Sequence, residues 1–203
     1  MPLSRRQTSS ESSPSEMDPQ TGLLARVEAL KDGRLVVWSP RESRRLYATG
    51  FYGKPLGIPK PKEDFEAPLI LDPIEGIYLL EKEMISVYSG EGENEVDLEE
   101  LTNSASGMLE GFEERYHIYR DLRERGLIVT PGIKYGCDFA VYEKGPGLDH
   151  APYIIKVKVS GEGLTAAEIV EAGRLATSVR KTFIIAMVDS GEIRFLSFKW
   201  WRP

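Results

Sequence analysis

Tyr135-Gly-Cys-Asp-Phe-Ala-Val-Tyr142 is an apolar run that ends on a phenol, and the segments after it decide the architecture. Glu143-Lys-Gly-Pro-Gly-Leu-Asp149 is rich in turn formers. Beyond His150, Tyr153-Ile-Ile-Lys-Val-Lys-Val159 reads as a strand, and Thr165-Ala-Ala-Glu168 is a capping box that opens a helix. Ser178-Val-Arg-Lys-Thr-Phe-Ile-Ile-Ala-Met187 passes from that helix into a strand, and Ile193–Trp200 supplies another. Upstream, Leu127–Thr130 and Lys134–Tyr142 are expected strands. Leu109–Arg125 is an expected helix, because Leu109, Phe112, Tyr116, Tyr119 and Leu122 recur at helical spacing. Acids lead it (Glu110, Glu113, Glu114), bases finish it (Arg120, Arg123, Arg125), and Gly126 is a C-cap. His117, between Tyr116 and Ile118, reads as structural. The pattern predicts a mixed sheet backed by two helices.

The first half alternates shorter elements. Leu24–Leu30 and Leu35–Trp38 form an expected hairpin around Lys31-Asp-Gly33. Ser39 caps a helix with Pro40 at its first position, and that helix is expected to stop at Gly50. Tyr52–Lys62 holds three prolines and two glycines, which argue against regular structure. Leu69–Leu71 is a strand, Asp72-Pro-Ile-Glu75 opens a helix, and Ile85–Tyr88 is a strand. Residues 1–20, rich in Ser, Pro and Gln, are expected to be a disordered tail. The fold class is therefore α+β. A small α+β domain spans 21–106, with a basic Pro-rich loop at 52–65, and a mixed-sheet domain flanked by helices spans 107–203.

No apolar run approaches the ~20 residues of a membrane span, and no apolar secretory core is visible. The lone Cys137 excludes an internal disulfide and fits a reducing cytoplasm, so a cytoplasmic location is expected. One cysteine and two histidines leave little for a metal site, so neither metal nor cofactor is expected. The net charge of −6 is unevenly spread. Residues 1–110 carry 12 basic and 20 acidic side chains, whereas residues 111–203 carry 14 and 12. The acidic run Glu91, Glu93, Glu95, Asp97, Glu99 and Glu100 reads either as a solvated loop and helix start or as a surface for a basic partner subunit.

Tyr142, His150 and Lys181 all fall at the ends of expected strands. A phenol, an imidazole and an ammonium gathered there supply a base, an acid and a fixed positive charge without a metal. Taken singly, each has an ordinary reading: a strand-end aromatic, a turn-capping loop residue and a solvated charge.

Gly132-Ile-Lys-Tyr-Gly-Cys-Asp-Phe-Ala-Val-Tyr142, His150-Ala-Pro-Tyr-Ile-Ile155 and Arg174-Leu-Ala-Thr-Ser-Val-Arg-Lys181 resemble the catalytic domain of archaeal tRNA-splicing endonucleases. The resemblance covers roughly Glu110 to Pro203, with a looser match over the first hundred residues. It implies an endoribonuclease that excises introns from precursor tRNA at bulge–helix–bulge motifs. The products would be 2′,3′-cyclic phosphate and 5′-hydroxyl ends, formed without a metal. It assigns the base to Tyr142, the acid to His150 and charge stabilisation to Lys181. Arg174 is implied to stack on an extruded base, and Trp200 is a further candidate RNA contact. Tyr52–Lys62 looks like the extra basic loop of crenarchaeal catalytic subunits, with Lys54, Lys60 and Lys62 as RNA contacts. Two cuts imply at least two catalytic chains; the basic loop, the single catalytic domain and the acidic run favour two catalytic plus two structural subunits, with a homotetramer as the alternative.

Three rival readings carry less. A magnesium nuclease of the restriction-enzyme type needs an acid two residues before its lysine, yet Ile154 precedes Lys156 and Lys156 precedes Lys158. A non-catalytic structural subunit does not need all three motif residues. An RNA-binding module without chemistry is the third.

Overall fold

The computed structural model describes residues 22–62, 64–90, 94–159 and 161–197. The expected tail at 1–20 and the candidate contact Trp200 lie outside them. The first sheet starts from the expected hairpin, β1 (Ala25–Ala29) pairing antiparallel with β2 (Leu35–Val37). α1 (Pro40–Gly50) is capped by the Ser39 side chain, which accepts the Glu42 N–H, and Pro40 opens it without losing a needed donor. The left-handed residue that ends α1 is Phe51 (φ 56°) rather than Gly50. Gly50 is the last helical residue, and a Cβ there would meet the Tyr52 ring at 2.6 Å.

The expectation of an irregular Tyr52–Lys62 is corrected at two residues. β3 (Lys54–Pro55) pairs antiparallel with β4 (Leu69–Leu71). Pro55 is tolerated because β3 is an edge strand, where a missing N–H costs little. α2 (Pro73–Glu81) begins with a capping box between Asp72 and Glu75. β5 (Ile85–Ser89) lies parallel to β1, and β6 (Asn94–Val96) pairs antiparallel with β5. The strand order is β3-β4-β2-β1-β5-β6. Within the acidic run, Glu95 lies in β6 and Asp97 caps α3 (Leu98–Met108), where Glu99 and Glu100 sit in the first turn. Acids there complement the positive end of the helix. α3 runs through the expected boundary at 106 to Met108, so that division falls inside a helix.

α4 (Phe112–Glu124) begins three residues later than its apolar pattern suggests. Gly111 takes φ 64° before it, and a Cβ at Gly111 would meet Val159 at 2.5 Å. Leu109 instead ends α3. His117 is exposed on α4, so it is a surface residue and no part of the core. The second sheet contains β7 (Ile128–Pro131), β8 (Phe139–Tyr142), β9 (Tyr153–Lys158), β10 (Thr182–Asp189) and β11 (Glu192–Ser197). The expected strand 134–142 is shortened, because Ile133–Tyr135 is a 3-10 turn ended by left-handed Gly136. Gly132 before it leaves no room for a Cβ, with backbone atoms of Cys137 and Phe139 2.8 Å away.

The order is β11-β10-β9-β8-β7; β9 and β10 are parallel and the other pairs antiparallel. α5 (Ala166–Val179), opened by the expected capping box, makes the crossover between β9 and β10. Alternation along the strands separates the two faces. Val129, Val141, Ile155 and Val157 join the core of Ile118, Tyr119 and Leu122 from α4, whereas Ile154, Phe183 and Ile185 pack with Ala172 of α5. The fold is α+β, with two mixed sheets and five α-helices among the described residues. Among the described residues no helix is long and apolar enough to cross a membrane.

One core runs continuously from the first sheet into the second, and a buried ion pair lies at their junction. The side chains of Arg123 and Glu75 are each 3% exposed and approach to 3.9 Å. Arg123 donates to the Tyr119 hydroxyl (2.9 Å), the Gly50 carbonyl (2.8 Å) and the Val129 carbonyl (2.9 Å). Its guanidinium also lies 4.2 Å from the centre of the Tyr52 ring. Oε2 of Glu75 accepts the Asp72 and Gly53 N–H groups, while Oε1 accepts no hydrogen bond among the described residues.

Burial, reinforced by the Asp72 charge and opposed by Arg123, pushes the Glu75 carboxyl up to about 7. A raised carboxyl binds its proton more tightly in the folded state. The resulting stability is fully present below the ordinary 4.5 and is lost as pH rises through about 7. Glu75→Gln cannot titrate. The stability of the wild type relative to Glu75→Gln is therefore expected to fall by roughly 1–3 kcal/mol between about pH 5 and pH 8 in urea denaturation.

Candidate functional site

β8 runs antiparallel to β9 and β10 runs parallel to it, so the end of β8 and the starts of β9 and β10 share one edge of the sheet. Register makes this concrete: Val141 pairs with Tyr153, and Tyr153 pairs with Thr182. Tyr142 ends β8, His150 lies three residues before β9, and Lys181 immediately precedes β10. Adjacent strands lie ~4.8 Å apart, so about 10 Å separates the outer two backbones, a gap that side chains span. Tyr142 and Lys181 are half-buried, and His150 is exposed.

The Lys181 ammonium is tied to the segment that carries His150. Nζ donates to the carbonyl of Ala151, the residue after His150. It also lies 5.2 Å from the centre of the Tyr135 ring, within cation–π range. The backbone continues the link: the Thr182 N–H donates to the Pro152 carbonyl (2.9 Å), and the Lys181 N–H donates to the Ala176 carbonyl (3.1 Å).

Residues 143–149 join Tyr142 to His150. The Asp149 carboxylate accepts the N–H groups of Glu143 (3.2 Å), Lys144 (3.1 Å) and Gly145 (3.0 Å). The Asp149 N–H donates back to the Gly145 carbonyl (3.1 Å). Gly145 adopts φ 123° against the Phe51 ring, which an added Cβ would meet at 2.4 Å. The first half of the chain thus buttresses this loop. Tyr142 has its phenol raised above the ordinary value, chiefly by burial and further by Tyr135 and Asp149, while the Thr130 hydroxyl opposes them. Tyr47 of α1 is raised by burial and then by Tyr142, which places the two phenols within electrostatic reach.

Arg174 is exposed on α5. A groove of about 760 Å³ runs between α5 and the 3-10 turn, and Tyr135, Val170, Arg174, Leu175 and Ser178 help to line it. α5 is anchored at its start: Lys158 of β9 bonds Glu168 (2.8 Å) and pairs with Glu162 (3.2 Å). Lys158, with Thr165, holds the Glu168 carboxyl down to about 2. Lys54, Lys60 and Lys62 are exposed on the segment that forms the β3 edge of the other sheet. Among the described residues no hydrogen bond, ion pair or ring contact joins them to Tyr142, His150 or Lys181. Among the described residues no group of three or more His, Cys, Asp or Glu side chains is placed to hold a metal ion.

Four residues around the edge carried no role in the sequence reading: Tyr47, Thr130, Tyr135 and Asp149. For Asp149 a local signal existed, since an Asp closing a Gly-Pro-Gly turn commonly binds nearby backbone N–H groups. Tyr47 and Thr130 reach the site only through tertiary packing, which leaves no mark in local spacing.

Comparison with known proteins bears on both halves. The family described as "tRNA intron endonuclease, N-terminal domain" matches residues 27–102, and "tRNA intron endonuclease, catalytic C-terminal domain" matches residues 112–195. A tRNA-splicing endonuclease of Hyperthermus butylicus is 51% identical over 173 residues, covering 84% of this chain and 95% of that protein. Proteins of the same name from Saccharolobus islandicus and Saccharolobus solfataricus are each 44% identical over 179 residues. Both alignments cover 86% of this chain and 98% of the relative.

The contact between Gly145 and Phe51 generates a prediction about loop order. Gly145→Ala forces a Cβ into the Phe51 ring at a backbone conformation that other residues rarely adopt. About 1–3 kcal/mol of local strain is expected. Faster amide hydrogen exchange across 143–150, with α4 unchanged, is the expected outcome.

Proposed function

The chain belongs to the tRNA intron endonuclease family, and from that premise we propose that it is a catalytic subunit that cuts precursor tRNA at bulge–helix–bulge motifs without a metal. The observation that carries this reading is the sheet register, which brings Tyr142, the lead-in segment bearing His150, and Lys181 to one edge.

In the proposed reaction the 2′-oxygen beside the scissile bond attacks phosphorus, and its proton passes to the Tyr142 oxygen. The new P–O2′ bond closes a five-membered ring as the P–O5′ bond breaks. Protonated His150 gives its proton to the departing O5′, leaving a 2′,3′-cyclic phosphate and a 5′-hydroxyl. Imidazole suits this duty because its ordinary titration lies close to physiological pH. The Lys181 ammonium stabilises the extra negative charge on the phosphorane, a role whose removal typically costs ~10²–10³ in rate. Its contacts with Ala151 and Tyr135 fix its position before substrate arrives.

The groove beside Arg174 suits an unstacked base, with an aromatic ring, apolar walls and a guanidinium. Lys54, Lys60 and Lys62 supply phosphate contacts from the other sheet. Cutting at two exon–intron boundaries calls for two such sites in fixed relation. Two catalytic plus two structural chains meet that need, and so does a homotetramer.

Cleavage of a bulge–helix–bulge RNA in excess chelator tests the reading, with and without a candidate structural subunit. Chelator-resistant cutting to cyclic-phosphate ends is expected, with His150→Ala and Lys181→Ala each slower by ~10²-fold or more. Dependence on the second subunit favours the heterotetramer; cutting by this chain alone favours the homotetramer. A magnesium requirement would sink the mechanism, and tight RNA binding without cutting under either condition would favour a non-catalytic subunit. The pH profile carries a further expectation. The active form pairs a Tyr142 phenolate with a protonated His150, and the fraction in that form sets the rate. It falls at alkaline pH only through the raised Tyr142 titration, above the ordinary value of 10.

A further inference from the structure

Between the end of β8 and the start of β9 the chain must turn back across residues 143–152 and bring His150 to the strand end that carries Tyr142. Two glycines in that turn make its unfolded ensemble broad, so something must hold it. The only carboxylate inside the turn, apart from Glu143 at its start, is Asp149. Its two oxygens gather three successive backbone N–H groups, from Glu143 and Lys144 on Oδ2 and from Gly145 on Oδ1. The first donor follows Tyr142 directly, and the acceptor residue precedes His150 directly.

We propose that Asp149 is a positioning residue for cleavage, clamping the residues that follow Tyr142 onto the residue that precedes His150 and so setting the distance between base and acid. This role rests on the cleavage reading above. Charge-assisted bonds of a carboxylate to N–H groups are stronger than neutral ones, and three on one group leave the turn little freedom. The clamp is braced on both sides, by Phe51 against Gly145 and by the Lys181 ammonium on the Ala151 carbonyl. Ala151 itself is buried, which fixes the backbone on the far side of His150.

The same carboxylate acts on Tyr142 through space. The titratable groups that face the phenol are Tyr135 from the 3-10 turn, Asp149 from the loop and Tyr47 from α1, with the uncharged Thr130 hydroxyl from β7. Asp149 is the carboxylate among them. Its negative charge disfavours the phenolate, so losing that charge lowers the Tyr142 titration.

The experiment uses the full chain with whatever partner cleavage requires, and compares wild type, Asp149→Ala, Asp149→Asn and His150→Ala. Single-turnover cleavage is expected to fall by ~10-fold to 10²-fold in Asp149→Ala, as for a misplaced catalytic group. RNA affinity should stay within about twofold of wild type, since no phosphate contact is removed. In the RNA-free protein, the phenolate absorbance assigned by difference from Tyr142→Phe should appear at lower pH in Asp149→Asn. A wild-type cleavage rate in Asp149→Ala overturns the positioning role. So does parallel loss of cleavage, RNA binding and thermal stability, with the Tyr142 titration unmoved, because that marks a merely structural turn. Wild-type rates in both Asp149→Ala and His150→Ala overturn the cleavage reading itself.

Discussion

A single buried guanidinium holds the two sheets together. Arg123 sits near the end of α4 and donates to carbonyls of α1 and β7, to the Tyr119 hydroxyl, and towards Glu75 at the start of α2. A buried cation of this kind is tolerated only when its donors are satisfied, since an unpaired one costs several kcal/mol. Its planar fork reaches three oxygens at once, which a lysine could not do with fixed directions. The junction is therefore specific in geometry as well as apolar, and the two halves share one core. Glu75 completes the pair imperfectly, with one oxygen bonded to two backbone N–H groups and the other accepting none among the described residues.

That junction matters for the candidate site because the first half contributes to it. Gly50, which accepts from Arg123, ends the helix that carries Tyr47, and Phe51 follows it. Tyr47 lies within electrostatic reach of Tyr142, and Phe51 packs on Gly145 in the turn that leads to His150. The same helix end thus serves the junction and the site. The site's other frame is the β9–α5–β10 crossover, which sets Lys181 beside the start of β9. Lys158 pins the start of α5 to β9, so the groove beside Arg174 is held to the same sheet.

Much of this was legible in local pattern. The helix start at Asp72, the capping box at Thr165 and the hairpin at Gly33 are set by residues within a few positions of one another and appear where expected, and the stripe of α4 does too, although the helix starts three residues late. The misreadings have different causes. The strand at 134–142 lost its first half to the 3-10 turn Ile133–Tyr135 and the left-handed Gly136, whereas β3 formed despite Pro55 at an edge of the first sheet. The first is local backbone geometry that an apolar pattern does not show, and the second depends on the strand's place in the sheet. His117 read as structural, and it lies on the surface: a helix turns 100° per residue, and that rotation carries it to solvent between the half-buried Tyr116 and buried Ile118.

The sequence by itself determined most element types, the α+β class and the order of Tyr142, His150 and Lys181 along the chain, because propensity, capping and periodicity act over short separations. Only the tertiary structure decided which strand ends coincide. Parallel pairing of β9 with β10 and antiparallel pairing of β8 with β9 are long-range choices, and a one-residue slip would turn the side chains to the opposite face. The burial of Arg123 among carbonyls of both halves was likewise invisible, since an arginine in the last turn of an amphipathic helix reads as solvated until the chain that covers it is folded onto it.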